Sequence, residues 1–204
     1  MESSGIAIPV TMNKLRYFSI ERSTISEIKM GSICNKSKTV SPLHNPKEPC
    51  FLSLSRVYIY KLQMPEGADT LLMFASNLKE LDVLGADQLE DIINKEKACE
   101  VGESGIVPFA KLVSLQLADL PKLKNIYWSP LRFPCLRKFN VRDCPNLKKL
   151  PLDSQSAMHG ENGLVLEYGE ESWIEGVEWE DEATKSRFLS SSKLYKDEHI
   201  TGIS

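Results

Sequence analysis

Three runs with one shared apolar spacing, a period in the twenties and a strand-like start to each run predict an α/β leucine-rich-repeat solenoid, or horseshoe. Leu78, Leu81, Val83, Leu89 and Ile92 stand at offsets 0, 3, 5, 11 and 14. Leu112, Leu115, Leu117, Leu123 and Ile126 repeat those offsets, and Leu136, Phe139, Val141, Leu147 and Leu150 do so again. No single helix or strand makes that pattern. The segment L-x-x-L-x-L alternates at its end, as a short half-buried strand does, and the later apolar pair belongs to a return path. Such a unit cannot bury its apolar face alone and must stack on its neighbours. Short parallel strands therefore line the concave face, with mostly irregular connections and few short helices on the convex side.

Taken in order, the elements begin with a weak repeat. Leu15, Phe18 and Ile20 match the strand segment, while Ile25 and Ile28 stand one residue early for a return path. Ser32–Pro49, rich in Lys, Ser, Asn and Pro, reads as a flexible loop. Leu54, Val57 and Ile59 open a second weak repeat, in which Pro65 takes the place of the later leucine. The repeat starts Leu15, Leu54, Leu78, Leu112 and Leu136 are spaced 39, 24, 34 and 24 residues apart, so the two long spacings hold insertions. Asp87–Glu100 suits a helical turn or two with Leu89, Ile92 and Ile93 on one face, ended by Gly102–Gly105.

After Leu150 the period stops. Leu164–Tyr168 reads as one more strand, and Ser172 with Glu175 as a capping box opening a short helix that carries Trp173 and Val177. Tyr168, Trp173, Trp179 and Phe188 supply material to cover the last apolar layer. The organisation is thus a degenerate repeat plus loop over 1–50, leucine-rich repeats over 51–155, a capping segment over 156–189 and a disordered tail over 190–204. Because the first repeat starts almost at once, the chain reads as the C-terminal piece of a longer protein or a truncated product.

Composition narrows the function. A formal net charge of -3 argues against a dedicated nucleic-acid binder. The longest apolar stretches, Ile6–Val10 and Thr70–Ala75, are far below the roughly 20 residues of a membrane span. The first thirty residues lack the basic start and apolar run of a secretory signal. Cys34, Cys50, Cys99, Cys135 and Cys144 are odd in number and show no C-x-x-C pair, which fits a reducing, cytoplasmic setting. His44, His159 and His199 stand in polar surroundings without a second ligand at helical spacing, and read as surface residues. Cys144 reads as a small buried side chain at a strand exit. Gly102-Glu103-Ser104-Gly105 lacks the G-x-S-x-G order of a nucleophile elbow. The carboxylates from Glu170 to Glu182 read as a solvated acidic cap. No catalytic, cofactor or metal residues are assigned, and the chain is read as a non-enzyme.

Interaction candidates come from pleating. Residues between the leucines face outward from the strands. They are Tyr17, Ser19 and Glu21; Arg56, Tyr58 and Tyr60; Glu80, Asp82 and Leu84; Ser114, Gln116 and Ala118; Lys138, Asn140 and Arg142. Tyr and Arg are favoured at interface hot spots. Charge also segregates, with Lys111–Lys149 mostly basic and Glu161–Glu182 free of Lys and Arg. Either neighbouring layers compensate each other, or a basic strip including Lys138, Arg142, Lys148 and Lys149 docks an acidic surface.

Specific words go beyond the spacing. They include Phe74-Ala75-Ser76-Asn77-Leu78-Lys79, Leu120-Pro121-Lys122-Leu123-Lys124-Asn125-Ile126-Tyr127-Trp128, Cys144-Pro145-Asn146-Leu147-Lys148-Lys149-Leu150-Pro151, and Gly169-Glu170-Glu171-Ser172-Trp173. Together these resemble the C-terminal leucine-rich-repeat region of plant coiled-coil nucleotide-binding disease resistance proteins, over roughly Leu54 to Phe188. Where that family tends to have a second tryptophan, this chain has Ile174. No G-x-x-x-x-G-K-[ST] phosphate loop occurs. The resemblance therefore implies no cofactor for this chain; a full-length relative would bind ADP or ATP in its nucleotide-binding domain. It implies protein partners: that switch domain, a pathogen effector or a guarded host protein. A free-standing scaffold or adaptor is the alternative.

Overall fold

The computed structural model describes residues 4–9, 14–21, 25–31, 53–60, 71–73, 75–96, 107–158 and 163–196. The histidines, the loop expected at Ser32–Pro49, Pro65 and Gly102–Gly105 lie outside the described residues. The L-x-x-L-x-L segments become strands β2 (Tyr17–Glu21), β4 (Arg56–Tyr60), β5 (Glu80–Leu84), β6 (Ser114–Ala118) and β7 (Lys138–Arg142). With β8 (Val165–Tyr168) and β9 (Ser192–Leu194) they make one seven-stranded parallel sheet in the order β2-β4-β5-β6-β7-β8-β9. The repeat offset fixes the register. Leu81 lies opposite Val57 and Leu115, and Val83 opposite Ile59 and Leu117. Each layer starts alike: Lys79 and Glu80 amides donate to the Ser55 carbonyl, Val113 and Ser114 to Lys79, and Arg137 and Lys138 to Val113.

One position per layer turns the chain out of its strand. Gly85, Asp119 and Asp143 occupy it, with φ of 68°, 55° and 51°. Glycine adopts this left-handed conformation without steric cost, and aspartate tolerates it better than most residues. Behind the strands runs a second, thinner ladder made by the return legs. Asp91 bridges Asn125 and Lys149 bridges Glu178, both in parallel. Over Asp87–Asn94 it replaces the expected helix with turn, bend and a bridge, because Ile92 and Ile93 donate their amides to Asn125 and Ile126 in the next layer; helix begins only at Lys95 and Glu96, and residues 97–100 lie outside the described ones. Inter-layer bonding wins over local helix, while Leu89, Ile92 and Ile93 stay buried.

The leucine spacing supplies the core. Leu78, Leu81, Val83, Ile92, Leu112, Leu115, Leu117, Leu123, Ile126, Phe139, Val141 and Leu147 are all buried in a single ribbon. Phe109 and Phe133, three residues before successive repeat starts, stack at 6.3 Å between ring centroids. At the N-terminal end, β1 (Ser4–Pro9) pairs in parallel with β3 (Ile25–Gly31) in a separate two-stranded sheet. The repeat spacing carries no signal for β1.

At the other end, helices α1 (Glu171–Glu175) and α2 (Glu182–Ser190) close the ribbon. Trp173 is buried and its indole N–H donates to the Leu147 carbonyl at 2.9 Å, while Trp179 stacks on buried Phe188 at 6.0 Å. The expected capping box does not form. Ser172 lies inside α1, its hydroxyl donating to Glu170, and Val177 follows the C-cap Gly176. The side-chain cap belongs to α2 instead, where Asp181 accepts from the Thr184 amide at 2.6 Å. The tail expected to be disordered from 190 onward contributes β9, and residues 197–204 lie outside the described ones. Among the described residues no helix is long and apolar enough to cross a membrane.

Candidate protein-interaction face

Parallel register turns the outward positions into columns. The first column reads Tyr17, Arg56, Glu80, Ser114, Lys138 and Val165. The middle one reads Ser19, Tyr58, Asp82, Gln116, Asn140, Glu167 and Lys193. The third reads Glu21, Tyr60, Leu84, Ala118 and Arg142. Adjacent strands lie about 4.8 Å apart, so column neighbours touch. The fold thereby brings together nine of the eleven candidates: Arg56, Tyr58, Tyr60, Glu80, Asp82, Gln116, Lys138, Asn140 and Arg142. Lys148 and Lys149 lie elsewhere, on the return leg, where the Lys148 carbonyl accepts from the Glu178 amide at 2.7 Å.

The N-terminal half of this face is aromatic and acidic. The rings of Tyr58 and Tyr60 stack at 6.0 Å and 27°. Arg56 Nε pairs with Glu80 at 2.9 Å. Burial pushes the Asp82 carboxyl above its usual range and Glu80 pushes it further, against the opposing pull of Arg56 and Lys138. Burial likewise raises the Tyr58 hydroxyl, with Glu21, Tyr60, Asp82 and Tyr17 adding to it.

The C-terminal half is organised by one carboxylate. Glu167 is 8% exposed and accepts from Lys138 Nζ at 3.1 Å, Lys193 Nζ at 3.1 Å and Asn140 Nδ2 at 3.2 Å. Burial alone would raise its carboxyl, but the two ammonium groups outweigh it and hold the group below the carboxylate range. This corrects the expectation that every outward residue is open to solvent. Asn140 is buried at 4% exposure beneath the Lys138–Glu167–Lys193 cluster, and Ala118 is buried as well. Gln116 is half-buried and Lys138 exposed. Arg142 lies 5.4 Å from the Tyr195 ring and 3.6 Å from Asp143.

Glu167, Lys193 and Tyr195 are the residues that sequence reasoning missed. The alternation Leu164-Val165-Leu166-Glu167-Tyr168 does place Glu167 outward, but its lysine partner lies in a strand with no repeat spacing. Among the described residues no group of three His, Cys, Asp or Glu could hold a metal ion. The acidic residues Glu170, Glu171, Glu175, Glu178, Glu180, Asp181 and Glu182 are all exposed around the cap.

Comparison with known proteins agrees with this geometry. The family described as plant disease resistance protein RPS2-like, leucine-rich repeats, matches residues 19–156. Disease resistance protein SUMM2 of Arabidopsis thaliana is 43% identical over 197 residues, covering 97% of this chain and 21% of that protein. Disease resistance protein RPS5 of Arabidopsis thaliana is 46% identical over 192 residues, covering 94% and 21%. The probable disease resistance protein At4g14610 of Arabidopsis thaliana is 53% identical over 152 residues, covering 72% and 21%. The chain thus spans about a fifth of the length of these curated relatives. No solved structure matches it.

Proposed function

The chain belongs to the RPS2-like leucine-rich-repeat family of plant disease resistance proteins, and we propose that it acts as the non-catalytic recognition and autoinhibitory docking module of a cytoplasmic immune receptor. The observation that carries this reading is the unbroken register from β2 to β9, which aligns a mixed tyrosine, arginine and carboxylate surface across seven strands. Aligned outward columns on a rigid ribbon hold their side chains in fixed relative positions, so little ordering cost remains when a partner docks. Aromatic anchors supply the buried part of an interface, and charged rims set its register. In the resting receptor the partner is the nucleotide-binding switch domain; on activation it is a pathogen effector or the host protein the effector alters.

A steric block tests this without touching the core. Gln116 sits half-buried at the middle of the middle column. Gln116→Trp should abolish binding to the nucleotide-binding domain of a full-length relative, measured by calorimetry, while leaving the melting temperature unchanged. In that relative the equivalent change should give signalling without a pathogen. Undiminished binding by a folded Gln116→Trp chain sinks the docking face.

A further inference from the structure

The middle column carries two carboxylates, and the fold treats them differently. Glu167 is answered by two lysines and an asparagine. Asp82 has Tyr58 on one side and Gln116 on the other. Arg56, on the neighbouring strand, pairs with Glu80 at 2.9 Å. Among the described residues the Asp82 side chain makes no hydrogen bond or ion pair, although the residue is half-buried. Removing a carboxylate from water without a partner costs free energy that the fold does not recover internally. Two more carboxylates share the face: Glu80, two residues before it, and Glu21, two strands away opposite Tyr60.

We propose that Asp82 and the stacked Tyr58–Tyr60 pair form the receiving half of a site for an arginine side chain presented by a protein partner. The proposal rests on the recognition reading above and names its chemistry. Column neighbours about 4.8 Å apart put Tyr58 beside Asp82, so a guanidinium bonded to the carboxylate is within reach of the ring. A planar guanidinium satisfies both at once, forking onto the two carboxylate oxygens and stacking on the aromatic face. Lysine meets the carboxylate as a point charge without the fork. The occupant is cationic by complementarity: two of the three carboxylates on β2, β4 and β5, Glu21 and Asp82, make no ion pair with Arg56. An acidic segment is repelled here, and a second copy of the chain is an outcome that the test detects.

The probe is a labelled twelve-residue peptide alternating glycine and arginine, set against the same peptide with citrulline, the neutral isostere, and with lysine. Binding to the full chain is read by fluorescence anisotropy at moderate salt, with sedimentation recording self-association. The arginine peptide should bind at least tenfold tighter than the citrulline peptide and more tightly than the lysine one. Asp82→Asn should remove that preference and raise the melting temperature, because the unanswered charge is gone. Tyr58→Ala should weaken the arginine peptide several-fold, whereas Glu171→Gln on exposed α1 should change nothing. Equal weakening by Asp82→Asn and Glu171→Gln, or equal binding of arginine and citrulline peptides by the unaltered chain, overturns the site. Self-association lost in Asp82→Asn assigns the arginine to a second copy and overturns the separate partner. If the peptides fail while Gln116→Trp still blocks the switch domain, this site falls alone; the reverse result removes the docking reading and leaves the site.

Discussion

Glu167→Gln and Glu167→Leu separate what the buried carboxylate holds together. In the native chain it joins β7 through Lys138 and Asn140 to β9 through Lys193. The lysine side chains are 50% and 62% exposed, so on losing the carboxylate their ammonium groups turn to water, at about 0–1 kcal/mol each. Asn140 is 4% exposed and cannot do so. Stranding its amide costs about 1–3 kcal/mol. Glu167→Leu should therefore cost about 1–5 kcal/mol, and Glu167→Gln, which keeps an acceptor for Asn140, about 0–2 kcal/mol. For a domain of this size about 1 kcal/mol moves the melting temperature about 2–4 °C. The loss should concentrate at the C-terminal edge, where the Tyr195 amide bonded to the Tyr168 carbonyl at 2.7 Å should exchange faster. The pH dependence has a defined sign. The folded carboxyl lies below its usual 4.5, so its contribution is complete above that pH and is lost as pH falls through the lower folded value. The gap between wild type and Glu167→Gln should close in acid. A gap that does not shrink as the pH falls below the usual 4.5, or no gap and unchanged exchange at neutral pH, refutes the cluster.

Two further outcomes test register and burial. Leu117, fully buried, and Gln116 beside it face opposite sides of β6. Leu117→Ala should cost about 2–5 kcal/mol and Gln116→Ala almost nothing in thermal melts, and equal costs mean a register wrong by one residue. Burial pushes the Cys144 thiol up to about 12, whereas Cys135 is exposed. Alkylation near pH 8 mapped by mass spectrometry should mark Cys135 and spare Cys144 until the chain is unfolded, since the thiolate is the reacting species.

The strand sheet was legible because its cause is local. Five L-x-x-L-x-L segments coincide with β2, β4, β5, β6 and β7, and alternation assigned both faces. What stayed hidden depends on partners distant in sequence. Residues 87–94 carry helical spacing, yet the Ile92 and Ile93 amides are taken by the next layer's return leg, which no window on one segment reveals. β9 has three residues and no apolar alternation, and it exists because the β8 edge offers it a ladder. The outward candidates share that limit. Periodicity said which way Asn140 points, but its burial follows from Glu167 on a different strand.

The basic run from Lys111 to Lys149 shows how this limit decides a functional question. In sequence it suggests a strip waiting for an acidic partner. In the fold Lys111 donates to Asn77, Lys122 to Gln88 and Lys124 to Glu90, each 34 residues back at the equivalent position of the preceding repeat. Lys138 turns to Glu167 and Arg142 to Asp143. Stacking thus gives these bases polar or acidic partners within the ribbon, and Lys124 and Lys138 meet carboxylates of neighbouring layers. Lys148 and Lys149 remain on the return leg, on a ladder separate from the strands. Replacing Lys138 with glutamate would set a carboxylate against Glu167 and disturb the edge whether or not a partner docks there. Gln116 and Asp82, whose side chains make no hydrogen bond or ion pair among the described residues, are the positions where a binding change reports on a partner rather than on the fold.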